Sequence, residues 1–430
     1  MMSVVHLHIG QCGLQIGEDY WLKALKRYQV DNDNGHVLLQ MDRNPRALFI
    51  DSEKKVIRHF SRRIKASKLP IKFNVLENSI QSRTGCGSNW ALGHNKLPGA
   101  KIMGDVPNLK TGFGQVYLDP DSTMLQTCLD SIRLKIEKSE TFSGFLGFQS
   151  LAGGTGSGFG SRLCEELRDI YPTAYRLWNV VTPFSVGESP TQNYNQLLSM
   201  TSLYQNSDAI MLLENDAVLE MLSAKQSGSV SMKDINSHMA DAMLGLFAPT
   251  DSLTPSSGGV SIGMEPWELC RSVAPMPSLK LLKSRHVSEP SPPSQANVWT
   301  KMTRSFVGQV KQASINGKTI SSLIVARGQD YLSVDWKQKL KGQVKFVSWN
   351  PFPVDIWEDN KSKKRSLTYC SNLTSSGTQY CSKVLEKSKI MFKSGAYLHW
   401  YERYGTNKEV FSESFDVMQQ VVDSYKEAES

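Results

Sequence analysis

No apolar run in this sequence of 430 residues approaches the roughly eighteen that a membrane-spanning helix needs. The stretch 1–9 is too short for a signal peptide and carries two histidines, so the expectation is a cytoplasmic chain with no membrane contact. The seven cysteines are odd in number and scattered. None has metal-ligand spacing, which excludes a structural zinc site and a disulfide framework and leaves reduced thiols. The sequon Asn372-Leu-Thr374 then carries no weight. There is no internal repeat. Residues 54–72 hold eight Lys or Arg and no acid, 361–365 (KSKKR) form a second basic cluster and 337–345 a looser third, within a net charge of +8. No zinc-finger, RNA-recognition or helix-turn-helix signature accompanies this charge. The clusters therefore read as solvated loops and helix faces, and no nucleic-acid partner is expected.

What the sequence does have is glycine in one place. Residues 151–161 read LAGGTGSGFGS, five glycines in eleven positions. The run 142–151 before it is apolar enough for a strand. Behind it, Phe159, Leu163, Leu167 and Ile170 fall on one helical face. Residues 3–9 alternate as a strand, Gly10 breaks them, and Ile16, Tyr20, Leu22, Leu25 and Tyr28 set a helical period. Short apolar runs at 48–50 and 177–181 add further strands. Strand, loop and helix thus repeat through the first two hundred residues, the pattern of an α/β parallel sheet. Residues 249–263 and 284–295, rich in Ser, Gly and Pro, read as long loops. Phe411, Phe415, Met418, Val422 and Tyr425 mark a terminal amphipathic helix.

A glycine-rich turn into a helix start leaves backbone N–H groups unpaired and pointing outward. Such groups bind phosphate without a cationic side chain, and Thr155 and Ser157 add hydroxyls. Glycine matters because a Cβ would hold the phosphates off and because some positions need positive φ. The loop lacks the lysine of a P-loop. It also fails the dinucleotide spacing, where Ser161 or Phe159 would stand in place of the last glycine. It is a phosphate cradle of a third kind. The turn Gly10-Gln11-Cys12-Gly13-Leu14-Gln15-Ile16-Gly17 again joins strand to helix, and Gln11 and Gln15 lie one helical turn apart.

These two loops together resemble the tubulin family, and the likeness extends over almost the whole chain. Further matches are Asp51 and Glu53, Gly87-Ser88-Asn89-Trp90-Ala91, Asn193-Tyr194-Asn195, Glu214-Asn215-Asp216-Ala217 and Asp234-Ile235-Asn236. Near the end, Met391-Phe392 and Ala396-Tyr397-Leu398-His399-Trp400-Tyr401 follow. The resemblance implies a parallel-sheet GTPase domain of tubulin type over 1–205, a core helix and mixed-sheet intermediate domain over 206–381, and C-terminal helices over 382–430. It implies GTP or GDP with Mg²⁺ as cofactors. It places Gly10, Gln11, Cys12 and Gln15 at the nucleotide, and Asp51 and Glu53 near the γ-phosphate and the metal, directly or through water. Ser88 and Asn89 belong to the third phosphate loop. Gly153, Gly154, Thr155, Gly156, Ser157 and Gly158 form the main cradle. Glu188 falls at the ribose, and Asn215 and Asn236 at the base. Glu268, in GMEPWELCRSVAPMP, matches the acid that orients water on the GTP of the next subunit, with Glu265 a competing position one turn earlier. Hydrolysis would then be completed in trans, at a head-to-tail contact.

Departures from the family pattern are Ala152 for a glycine, Met232 for a base-stacking tyrosine, Ser88 for an asparagine, Gln192 for an acid, and Gly263 and Glu265 in the synergy loop. No acidic tail precedes Ser430. Together these resemble the δ/ζ branch, leaning to ζ, which implies a structural protein of the microtubule cytoskeleton at centrioles or basal bodies of cilia. The partners implied are other tubulins or microtubules and centriole or basal-body proteins. The basic stretch 54–72 would suit acidic microtubule tails. Two other readings compete. One is a pseudo-GTPase scaffold with weak nucleotide affinity. The other is a self-sufficient hydrolase or kinase, which requires a base or a cation in the same half as the cradle, such as the lysine a P-loop carries.

Overall fold

The computed structural model describes residues 3–31, 44–67, 75–82, 84–95, 100–102, 109–111, 114–116, 123–139, 141–187, 189–225, 228–248, 250, 267–289, 297–329, 331, 334–340, 342–360 and 362–430. Its strands are β1 Ser3–Ile9, β2 Ala47–Asp51, β3 Ser79–Ser82, β4 Ala100–Ile102, β5 Leu109–Thr111, β6 Gly114–Val116 and β7 Phe142–Ser150. They continue with β8 Tyr175–Thr182, β9 Ala209–Glu214, β10 Leu281–Ser288, β11 Thr319–Arg327, β12 Val354–Asp359 and β13 Ser366–Leu373. One 11-stranded sheet runs β12-β11-β13-β10-β9-β8-β7-β1-β2-β3-β4, and β5 and β6 pair as a separate hairpin. From β3 through β10 every neighbouring pair is parallel. β4 closes one edge antiparallel, and β13 lies antiparallel between β10 and β11. The fold is α/β, as expected: a parallel sheet passes into a mixed portion, and the chain ends in C-terminal helices.

Alternation along β1 builds both layers. Val5, Leu7 and Ile9 enter one core, shared with Phe159, Leu163 and Leu167 of the helix behind the glycine loop. Val4 enters the other, beneath the helix α1 Gly10–Asp31, whose Tyr20, Trp21, Ala24 and Leu25 are sealed from solvent. His6 and His8 point the same way as Val4 and are buried. The His8 ring lies between Phe49 and Phe148, and its Nε2 accepts from Trp21 Nε1 at 3.0 Å. Neither ring nitrogen of His6 has a partner among the described residues.

The terminal helix Lys408–Glu427 buries the five residues its period marked. Tyr425 is the anchor: its hydroxyl accepts from the Leu281 N–H at 2.8 Å and donates to Asn372 Oδ1 at 3.0 Å. On the helix Gly160–Ile170, Leu163 and Leu167 are buried as expected, but Ile170 is 49% exposed. It is the last helical residue, beyond the sheet that covers the rest of that face. Residues 284–288 correct the loop expected there. They belong to β10, because Arg285 and Val287 find antiparallel partners in Tyr369 and Leu367. Residues 251–263 lie outside the described residues.

Candidate nucleotide site

Parallel strands send their carboxyl ends to one edge, and a crevice opens there where the chain changes winding direction. Here that point lies between β1 and β7, since β1 leads towards β2 on one side and β7 towards β8 on the other. Gly10 follows β1, Asp51 ends β2, the loop 84–89 follows β3, the glycine loop follows β7, and Asn215 follows β9. The sheet thus brings the expected residues of five separate segments to a single edge. Glu188, expected at the ribose, lies outside the described residues, as do Gly263 and Glu265.

The two glycine turns touch. Gly10 has φ of +73°, and a Cβ built on it would fall 2.8 Å from the Gly156 nitrogen. A Cβ on Gly154 would come 2.6 Å from the Cys86 carbonyl oxygen and 2.9 Å from the Asn89 nitrogen, so the third loop packs on the second. Glycine is required there for close approach of backbones. Gly153 differs: a Cβ there would meet nothing within 4 Å. Residues Gly154–Phe159 make a π-helical turn before the helix proper, a wide turn that recurs at functional sites. The N–H groups of Gly153 and Gly154 have no partner among the described residues.

At the end of β2, Ser52 Oγ lies 2.5 Å from Thr155 Oγ1 and ties that strand to the glycine loop. Asp51 is 2% exposed. Its Oδ1 accepts the Glu53 N–H at 2.8 Å, whereas Oδ2 has no partner among the described residues. Burial pushes this carboxyl up to about 7, opposed by its backbone hydrogen bond to Glu53. A carboxylate with a buried, unshared oxygen is a place where a cation would restore the charged form. Glu53 lies against Gly85 and pairs with Lys55 at 2.9 Å.

The third loop is held from behind by Asn195. Its Nδ2 donates to Ser88 O at 2.8 Å and to Ala152 O at 2.7 Å. Its Oδ1 accepts from the Trp90 N–H at 2.9 Å and from the Tyr401 hydroxyl at 2.7 Å. One buried amide therefore couples two phosphate-type loops to the C-terminal helices. Ser88 is exposed with φ of 51°, a conformation rare outside glycine. Asn89 is spent within the protein, since its Nδ2 donates to Trp400 O at 3.1 Å and its Oδ1 accepts from the Leu92 N–H at 3.1 Å.

Towards the base end, Asn236 Nδ2 donates to Gln15 Oε1 at 3.2 Å and links α1 to the helix Met232–Phe247. Asn215 is buried, and its Oδ1 has no partner among the described residues. Met232 is 47% exposed on the first turn of its helix. Gln11 is exposed, and burial pushes the Cys12 thiol up to about 12, so it stays protonated. Glu268 stands apart. It opens the helix Glu268–Val273 beside Trp267, whose ring stacks on Tyr175 at the opening end of β8. A strand's length, about 20 Å, separates that end from the cradle. Glu268 is 5% exposed.

Three residues given no role by sequence reasoning act here: Ser52, Lys55 and Asn195. Asn195 stood within the quoted Asn193-Tyr194-Asn195 signature. The other two carry no local signal.

This sheet and edge define a nucleotide-binding fold of tubulin type. A model described as Tubulin/FtsZ family, GTPase domain, matches residues 108–223. Over 99% of both chains, the sequence is 28% identical to the tubulin delta chain of Canis lupus familiaris and to that of Homo sapiens. It is 25% identical to the tubulin beta-6 chain of Gallus gallus, with 99% of this chain and 95% of the other covered. The chain is thus similar along its full length to delta chains of the tubulin family, from which it diverges widely. The lean towards ζ rests on the residues alone.

Proposed function

We propose that this protein is a guanine-nucleotide-binding, tubulin-like structural protein of the microtubule cytoskeleton, acting at centrioles or basal bodies of cilia. One observation supports the binding reading best: the Gly10 and Gly156 backbones meet at the switch point of the sheet, while Gly153 faces open space beside them. In this reading the N–H groups of the loop 153–158 and Thr155 take the phosphates, Gln11 and Cys12 flank them, and Ser157, whose N–H and hydroxyl both donate to the Gly153 carbonyl, braces the turn. Gln15, Asn215 and Asn236 take the base. Glu188 takes the ribose, and Ser88 and Asn89 shape the third loop. Asp51, through its unshared oxygen, and Glu53 would hold Mg²⁺, a hard cation that binds few protein carboxylates alongside phosphates and water. It would supply charge neutralisation at the terminal phosphate. Partners are other tubulins or microtubules and centriole or basal-body proteins.

Purified protein is expected to retain GTP or GDP near stoichiometrically after gel filtration, measured by chromatography of the denatured extract. Gly153→Ala should fold with an unchanged melting temperature, since its Cβ meets nothing, yet retain little nucleotide. Equal retention by wild type and variant would remove the cradle from the argument.

Glu268 in trans requires head-to-tail contact between subunits. Turnover per molecule should then rise with protein concentration and be abolished in Glu268→Gln with binding intact. Turnover independent of concentration would contradict a trans mechanism. A second reading, a scaffold that does not hydrolyse nucleotide, is favoured by the burial of Glu268. A carboxylate so enclosed must be uncovered before it orients water on another molecule. Absence of turnover at every concentration, with nucleotide still bound, would select this reading.

A further inference from the structure

The glycine loop holds no lysine, but the mouth of the cradle does not lack a cation. The helix α2 Lys54–Ala66 begins three residues after Asp51, and its second residue is Lys55. Lys55 lines a cavity of about 370 Å³ between α1 and α2, together with Gln11, Gln15, His59 and Phe60. Gln11 directly follows Gly10, whose backbone meets Gly156. Lys55 Nζ lies 2.9 Å from Glu53 Oε2, and Glu53 in turn lies against Gly85 of the third loop. The ammonium is thus tied to the third turn through Glu53 and shares a cavity with Gln11 of the first, which itself meets the glycine loop at Gly156. Among the described residues, it is the one Lys or Arg lining this cavity. The next basic residue on the inner side of α2, Arg63, pairs with Glu18 at 2.6 Å.

The geometry points to Lys55 as a residue that reads the terminal phosphate of the bound nucleotide, exchanging Glu53 for phosphate when a triphosphate fills the cradle. The inference rests on the guanine-nucleotide reading above. The cradle amides are neutral, and Asp51 and Glu53 put negative charge at the same mouth. A triphosphate brings its extra charge to that place, and a diphosphate does not. The Lys55 side chain is 80% exposed, so its ammonium stays hydrated and can turn from one anion to the other with little desolvation. When it moves, Glu53 is released to face a cation. Lys55 thus supplies discrimination between GTP and GDP from outside the glycine loop, where a P-loop would place its lysine inside.

The test uses the full-length protein stripped of nucleotide, titrated with fluorescent GTP and GDP in the presence of Mg²⁺. Lys55→Met should weaken GTP binding about tenfold and GDP binding by less than about threefold, the loss expected for one charge-assisted hydrogen bond. Lys55→Arg should keep most of the preference. Lys65→Met, exposed on the same helix, should leave both affinities unchanged. Unaltered GTP affinity in Lys55→Met, equal losses for GTP and GDP, or the same loss in Lys65→Met would overturn the inference while the nucleotide reading stands. A wild-type protein that binds neither nucleotide would end both.

Discussion

Asn195→Ala is expected to destabilise the protein by about 3 kcal/mol or more, because each buried group left without a partner costs roughly 1–3 kcal/mol. Two are left bare among the described residues, the Ala152 carbonyl and the Trp90 N–H, since Thr191 still serves Ser88 O at 3.1 Å and the Tyr401 hydroxyl at 3.3 Å. Four groups lose a bond: the carbonyls of Ser88 and Ala152, the Trp90 N–H and the Tyr401 hydroxyl. The first two fix the backs of the third loop and the glycine loop. Nucleotide retention should therefore fall below what the stability loss alone would produce. Asn195→Asp should cost at least as much, since it keeps the two acceptor contacts but turns a buried carboxylate oxygen onto the two carbonyls. Urea unfolding with parallel measurement of bound nucleotide checks this. A midpoint at the wild-type value would mean the amide is replaceable and the loops find their positions without it.

The second large effect is acid sensitivity. Burial lowers His6 from 6.5 to about 3 and His286 likewise to about 3. His8 is held well below its ordinary value, first by burial and then by the neighbouring His6. These rings are neutral when folded and take up protons when unfolded. Their contribution is complete above pH 6.5 and is lost as pH falls from there towards about 3. Each histidine costs up to about 1.4 kcal/mol per pH unit across that window. Stability should therefore drop between pH 6 and pH 4, less steeply than three histidines alone would give, because Asp51 and Glu18, both pushed up to about 7 by burial, take up protons in the folded state over that range. His6→Leu should flatten that slope by about one proton's worth, because His6 offers no hydrogen bond that leucine would forfeit. A urea midpoint constant from pH 7 to pH 4.5 would show that the rings reach water or become charged without unfolding.

The sheet was legible because its signals are local. Apolar runs ending in glycine at 9–10 and 150–154 announce strand ends, and the buried faces of the helices behind them follow a fixed period. The site was legible as a set of turns, since parallel strands must deliver their carboxyl ends to one edge. What escaped was set by distant contacts. The segment 284–288 has the composition of a loop and becomes a strand only through its partners in β13. Ser52 gains meaning from Thr155, and Asn195 from Ser88 and Tyr401, none of them neighbours in sequence. Lys55 read as part of a solvated basic stretch because nothing local reveals that Gln11 stands across from it. Glu268 could be matched by motif, but its burial depends on what packs over it.

The continuity of the long sheet has a mechanical result. Its parallel and mixed portions are hydrogen-bonded edge to edge, so relative motion between them would strain the seam where they meet. That seam is β9 against β10, where three residue pairs, Leu281 with Ile210 to Lys283 with Leu212, carry the register. It is riveted at one end by Lys283 on Glu214, 3.0 Å apart, and at the other by Lys280 on the Ser207 carbonyl at 2.8 Å. Glu214 immediately precedes Asn215, so the rivet abuts the base end of the cradle. Strain along that seam would therefore be felt at Asn215.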